Sequence, residues 1–297
     1  MRKIRLISIL SVIFLSSVCL SAQEITSYYS LGSVEGSIND ISKKVTAALT
    51  EKGFKIFGSY YPQGKYSNKV IAFTRDDLYK VALSGKDQKF LAAMLKVGLI
   101  KDGEKVKISL LNPEYIFNAY FRGSFATYKD KLMKVDSDAK EALKSIGGEF
   151  TAFGGGLSAK ELQKYHYMMG MPYFDEPIEL KIFSSFEEGT KIIEENLNSK
   201  KSSTEKVYML KFSNSKIALY GIALNDKEKG EAAFLPKIGT DHIAAMPYEL
   251  LLIDNKAIML HAKYRLALHW PKLTMAQFMK ISSTPGKIED ILKSLTE

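Results

Sequence analysis

The stretch Val97-Gly-Leu-Ile-Lys-Asp-Gly-Glu-Lys-Val-Lys-Ile-Ser-Leu-Leu111 decides the fold class. Two apolar runs, Val97–Ile100 and Lys105–Leu111, flank Lys101–Glu104, and an Asp-Gly pair between such runs is the chemistry of a tight hairpin turn. Strands joined that closely must run antiparallel. Upstream, Ser37 with Asp40 three residues on opens a helix whose apolar face is Ile38, Ile41, Val45, Ala48 and Leu49, and Gly53 ends it. Phe54–Tyr61 and Lys69–Thr74 read as strands about the turn Pro62–Gly64, and a helical region runs from Asp76 to about Met94. Beyond the hairpin, Pro113 opens an aromatic-rich helix, and a last helix from Ser137 stops at Gly147 and Gly148.

The same order returns further along the chain. Ile178–Phe183 reads as a strand, and Ser185 with Glu188 caps a helix with Phe186, Gly189, Ile193 and Leu197 on one face. Strands Lys206–Phe212 and Lys216–Ala223, an irregular region to Ala245 and a hairpin about Asp254-Asn255 follow. Thr284 as N-cap and Pro285 at the first helical position open a closing helix, striped by Ile288, Ile291, Leu292 and Leu295. The expected fold is therefore α+β, with two related domains, each a small, mainly antiparallel sheet packed by helices on one face. They occupy residues 23–148 and 178–297. Residues 149–177 read as a glycine-rich linker with a short helix capped by Ser158 and Glu161. Gly154, Gly155 and Gly156 match neither a Walker loop nor a dinucleotide fingerprint, so the expectation is a flexible joint.

Residues 1–22 read as a signal peptide: cationic Arg2, Lys3 and Arg5, an apolar run Leu6–Leu20, and small residues Ser21 and Ala22 before Gln23. The chain has 297 residues and a formal charge of +9 from 42 Lys and Arg against 33 Asp and Glu, with one cysteine, Cys19. Cleavage after Ala22 leaves +6 and no thiol. The expectation is a periplasmic or secreted protein without disulfides or a multi-cysteine metal site. No later stretch is apolar enough to span a bilayer, so no stable membrane insertion is expected after cleavage. The basic residues are scattered among acids and lack an interleaved series of stacking aromatics, which argues against a nucleic-acid partner.

Phe73-Thr-Arg-Asp-Asp-Leu-Tyr79, the strand Lys105–Leu111 and Asn112-Pro-Glu-Tyr115 resemble bacterial proteins of the "domain of unknown function 302" family. Met246-Pro-Tyr-Glu249, the run His261–Pro271 and Met279-Lys-Ile281 resemble segments of its exported members, so the resemblance implies two tandem copies. It implies an α+β fold with helices on a small antiparallel sheet, and brings no activity, cofactor or catalytic residue. Family members often carry a cysteine near this hairpin; none stands here, which excludes thiol chemistry.

The stretch most suggestive of a site is Lys256–Trp270. Ile258, Leu260, Ala262, Tyr264, Leu266, Leu268 and Trp270 alternate with Met259, His261, Lys263, Arg265, Ala267 and His269, the period of a strand with one face on the core. On an unbroken strand His261, Lys263, Arg265 and His269 form one cationic stripe. That is either the solvated face of a sheet or an anion site, with Lys263 and Arg265 holding the anion and the histidines as pH-sensitive flankers. His261 and His269 lie about 26 Å apart on such a strand, too far to share a metal ion. The run Tyr165–Phe174 combines His166 with Met168, Met169 and Met171, donors that suit Cu(I). Leu162, Tyr165, His166 and Met169 also form a helical stripe, and structural packing is the expected role. Asp76-Asp77 and Asp175-Glu176 are adjacent acids that do not face one another. With no nucleophile elbow and no thiol, no catalytic residue and no cofactor are expected. The functional expectation is non-enzymatic binding, in the cell envelope, of a small anionic or amphipathic ligand or a protein partner. The alternative is an envelope hydrolase with an acid–base pair in the interdomain cleft.

Overall fold

The computed structural model describes residues 23–297; the signal-peptide reading of residues 1–22 lies outside them. Strand β1 (Glu24–Glu35) leads into α1 (Ile38–Glu51), where the Ser37 hydroxyl accepts the Asp40 amide at 3.1 Å. Strands β2 (Lys55–Tyr60) and β3 (Asn68–Thr74) follow, then α2 (Asp76–Ala82) and tight 3-10 turns as far as Ala93. The hairpin β4 (Leu95–Asp102) and β5 (Lys105–Leu111) closes with Asp102 opposite Lys105. Helices α3 (Pro113–Phe121) and α4 (Phe125–Lys144), strand β6 (Thr151–Ser158) and short α5 (Ala159–Gln163) complete the first half.

The second half begins with β7 (Ile178–Ile182), α6 (Phe186–Asn198), β8 (Thr204–Phe212) and β9 (Ile217–Leu224). It continues through α7 (Glu231–Ile238), β10 (Tyr248–Ile253) and β11 (Lys256–Met259). Helices α8 (Ala262–His269), α9 (Met275–Met279) and α10 (Thr284–Ser294) close the chain.

Two antiparallel sheets result, ordered β2-β3-β4-β5-β1-β6 and β8-β9-β10-β11-β7. With β6 set aside, each runs second, third, fourth, fifth, first in order of appearance. The α+β class stands. The halves also share apolar core: Tyr28, Phe73, Phe90 and Tyr115 of the first half belong to one buried cluster with Leu219, Leu251, Tyr264 and Leu268 of the second. At the junction β2 meets β8 so closely that a Cβ on Gly58 would lie 2.0 Å from the Val207 carbonyl oxygen.

Two expectations are corrected here. The glycine-rich stretch is not a free joint but strand β6, paired along β1 from Glu24 opposite Ser158 to Ser30 opposite Thr151. Its glycines serve backbone conformation and close approach. Gly154 and Gly155 have φ of +85° and +98°, and a Cβ on Gly154 would lie 2.6 Å from Ser27 Oγ. The second correction concerns Lys256–Trp270. The strand ends at Met259, His261 caps a helix by accepting the Lys263 amide on Nδ1 at 3.3 Å, and residues 262–269 are helical. Lys263 is the only exposed residue of that helix, which leaves little amphipathic signature of period 3.6 to compete with a strand reading.

Candidate functional site

The helical turn redistributes the four residues of the expected cationic stripe. Arg265 and His269, one turn apart on α8, point into the core and are each 2% exposed. Lys263 faces solvent, and His261 is half-buried at the helix start. No continuous stripe forms.

Arg265 is used inside the molecule. Its Nε donates to Glu249 Oε2 at 3.1 Å, its Nη2 donates to the carbonyls of Ala245 and Pro247, and its guanidinium lies 4.0 Å from the centre of the Tyr248 ring. Glu249 Oε1 accepts from Lys96 Nζ on β4 and from the Tyr208 hydroxyl on β8. One buried carboxylate thus holds two buried cations from different halves, together with a tyrosine. Burial alone would raise the Glu249 carboxyl, but the charges of Lys96 and Arg265 outweigh it and hold it below the usual range. Burial lowers the Lys96 ammonium in spite of Glu249. His269 lies beside this cluster, its Nε2 3.2 Å from the Tyr120 hydroxyl. Burial, followed by the Arg265 and Lys96 charges, pushes its imidazole well below the ordinary value, so it is neutral.

A second buried acid, Glu231, also joins the halves. It accepts from the Tyr60 hydroxyl at 2.7 Å and from the amides of Gln63 and Leu224 at 3.2 and 3.4 Å. Among the described residues no cation pairs with it, and burial raises its carboxyl to about 7. Strongly displaced groups often mark functional sites. Here they are sealed between the sheets, and their hydrogen bonds run to one another and to backbone, so the arrangement is an internal polar tie.

The open concave surface lies elsewhere, around the segment 164–177. Tyr165 and Phe174 anchor that segment in the core, Tyr165 edge-on to Tyr264 and Phe174 stacked on Tyr120 at 5.2 Å. Between the anchors the chain stands out. His166 Nε2–H donates to the Met171 carbonyl at 2.7 Å, and its ring stacks on Tyr173 at 3.9 Å. Because α5 ends at Gln163, the expected helical stripe does not form: Leu162 and Tyr165 are buried while Met169 is exposed.

Two depressions flank this segment. On one side an open groove of 910 Å³ is lined by Lys160, Lys164, His166, Tyr167, Leu157 and Pro271. On the other side Met168 and Met171 face Leu266 of α8 and Met275 and Phe278 of α9 across a slot of 50 Å³, with Lys263 among its lining residues. Tyr167 lines both. The slot is apolar, and the groove carries Lys160 and Lys164 beside Glu24 and Glu161, so one aromatic ring separates a charged, polar surface from a thioether-lined one. Of the residues singled out in the sequence, His166, Met168, Met171 and Lys263 meet here. Lys160, Lys164, Tyr167 and Met275 were not singled out, and only the fold brings α9 to the Met-rich segment. The described residues include no group of three or more His, Cys, Asp or Glu side chains placed to hold a metal ion, and no helix among them is long and apolar enough to cross a membrane.

No family model matches the chain, and no curated protein matches it. Among solved structures it is similar to the crystal structure of an uncharacterized conserved DUF302 protein from Bacillus stearothermophilus, with 12% identity over 40% of this chain and 98% of the other, at a TM-score of 0.35.

Proposed function

We propose that this chain is an exported, non-catalytic binding protein, built from two tandem copies of one α+β unit, that takes an amphipathic anion. One observation carries the reading: Tyr167 is the shared wall of a polar groove, where Lys160 and Lys164 stand beside Glu24 and Glu161, and an apolar, methionine-lined slot. An anionic head between Lys160 and Lys164, with Lys263 near the slot, gains charge-assisted contacts. An alkyl chain entering the slot gains about 0.8 kcal/mol for each buried CH₂, a factor of about four in Kd. Methionine has three rotatable bonds and fits irregular apolar guests, so a narrow slot lined by three methionines can widen around a chain. Export is supported by the cationic start and apolar run of residues 1–22. The hydrolase reading has less support, because Glu231 and Glu249, the acids that join the halves, are buried and fully engaged.

Calorimetric titration with octanoate, decanoate and dodecanoate tests the proposal, with decyltrimethylammonium as a control of opposite charge. Binding should tighten with chain length, fail for the cationic head, and weaken at least tenfold in Tyr167→Ala and in the double variant Lys160→Ala, Lys164→Ala. Equal affinity for both head charges, or no binding at all, would overturn it.

A further inference from the structure

Two of the four exposed methionines among the described residues line the apolar slot. Met168, Met169, Met275 and Met279 are 46, 96, 54 and 64% exposed, whereas Met94, Met246 and Met259 are 2% exposed or less. The described residues contain no cysteine, so the thioethers are their only sulfur. The exposed methionines come from two separate segments, and Met168 and Met275 meet across one slot. Isolated exposed methionines are ordinary, but Met168 and Met275 share one apolar lining with Tyr167 and Met171, an accessible surface whose chemistry is oxidisable.

We propose that Met168 and Met275 are an oxidative modification site, and that a peroxide closes the slot by converting them to sulfoxides; the ligand consequence rests on the binding reading above. The thioether sulfur gives an electron pair to the distal peroxide oxygen, the O–O bond breaks, an S–O bond forms and the second oxygen leaves as water. Sulfur is oxidised by two electrons and the peroxide is reduced by two. The product is polar and chiral in place of a flexible apolar chain, and it reverts only through a sulfoxide reductase. Two such groups at the mouth of a 50 Å³ slot bind water and face Lys263, and an alkyl chain entering between them must strip that hydration against Leu266 and Phe278, which offer no hydrogen bond in return. Met169 and Met279 lie outside the slot lining, so their oxidation leaves the slot apolar.

The test uses the full chain, hydrogen peroxide and decanoate. Peptide mass spectrometry should show oxygen gained at Met168, Met169, Met275 and Met279 well before Met94, Met246 and Met259. Oxidised wild type should lose at least tenfold in decanoate affinity and regain it with methionine sulfoxide reductase. Met168→Leu with Met275→Leu should keep its affinity through the same treatment, while Met169→Leu with Met279→Leu should lose it as wild type does. Retention on a phenyl hydrophobic-interaction column reads the slot without the ligand, and should fall further on oxidation in wild type than in the Met168→Leu, Met275→Leu variant, which still oxidises at Met169 and Met279. Failure of the untreated chain to bind decanoate would sink the ligand reading alone, with column retention still deciding the switch. Oxidation of the buried methionines at the same rate, or unchanged affinity and retention after oxidation at Met168 and Met275, would overturn the modification site.

Discussion

Glu231→Gln isolates a cost that the folded chain carries at neutral pH. Glu231 is fully buried, accepts hydrogen bonds from Tyr60 and two amides, and has no cationic partner among the described residues, so its carboxyl rises from 4.5 to about 7. Below about pH 4.5 it is protonated whether the chain is folded or not, and its contribution to stability is complete. As pH rises, the unfolded chain releases the proton first, and the folded state is penalised until its own carboxyl ionises near 7. The interval corresponds to about 3 kcal/mol of stability lost, roughly a fifth to three-fifths of what a typical domain has. The buried histidines act with the opposite sign. His242 is lowered from 6.5 to about 4 by burial, and burial with the Arg265 and Lys96 charges lowers His269 as well. Each contributes stability above the unfolded-state value that is lost as pH falls through the folded one, so the acid and histidine effects oppose one another between about pH 4.5 and 6.5. Urea unfolding of wild type and Glu231→Gln at intervals from about pH 4 to 8 exposes the hidden component. The variant should gain about 3 kcal/mol relative to wild type across that range, whatever constant offset the amide introduces through its hydrogen bonds. A difference between the two proteins that does not change with pH refutes the reasoning, because it would mean that Glu231 ionises alike in both states.

Two further outcomes follow from the junction between the halves. Glu249→Ala strands Lys96 and Arg265 as buried charges and should cost about 3–5 kcal/mol in chemical unfolding. Lys96→Met should cost less, since it leaves the Arg265–Glu249 pair balanced; the reverse ranking would show that the two cations are not held by one carboxylate. Gly58→Ala drives a methyl group against the Val207 carbonyl and should cost about 1–3 kcal/mol, while Gly123→Ala, with open space around it, should stay within about 0.5 kcal/mol in the same melting assay.

The elements legible in the sequence were those with one face wet and one face dry. α1 was found from Ser37 and its apolar stripe, and the hairpins from Asp102-Gly103 and Asp254-Asn255, since capping and turn chemistry are local. α10 was found to within a residue of its cap. α8 was misread because residues 264–269 are buried on every side, and a pattern of period two survived by chance of composition. β6 was missed because the signals of a linker, three consecutive glycines, are also those of a strand that must kink and approach another chain segment closely. The polar tie was partly visible as Arg265 and His269, but its partners Glu249 and Lys96 carry no local signal. Lys96 lies 153 residues from Glu249 in the chain. The groove and slot depend in the same way on Pro271 and α9 folding back against residues 157–171.

The placement of β1 has a consequence for the order in which this protein can fold. It is the first strand of the described residues, yet it lies between β5 and β6, whose residues begin at Lys105 and Thr151. Neither neighbour exists when β1 is synthesised, so its backbone stays unpaired while about a quarter of the chain is added before β5, and more than a third before β6. The loops that must close are long, which places this sheet among the slow, high-contact-order topologies. Nucleation therefore belongs to later and more local pieces, the β4–β5 hairpin foremost, with β1 recruited afterwards and β6 sealing its far edge last.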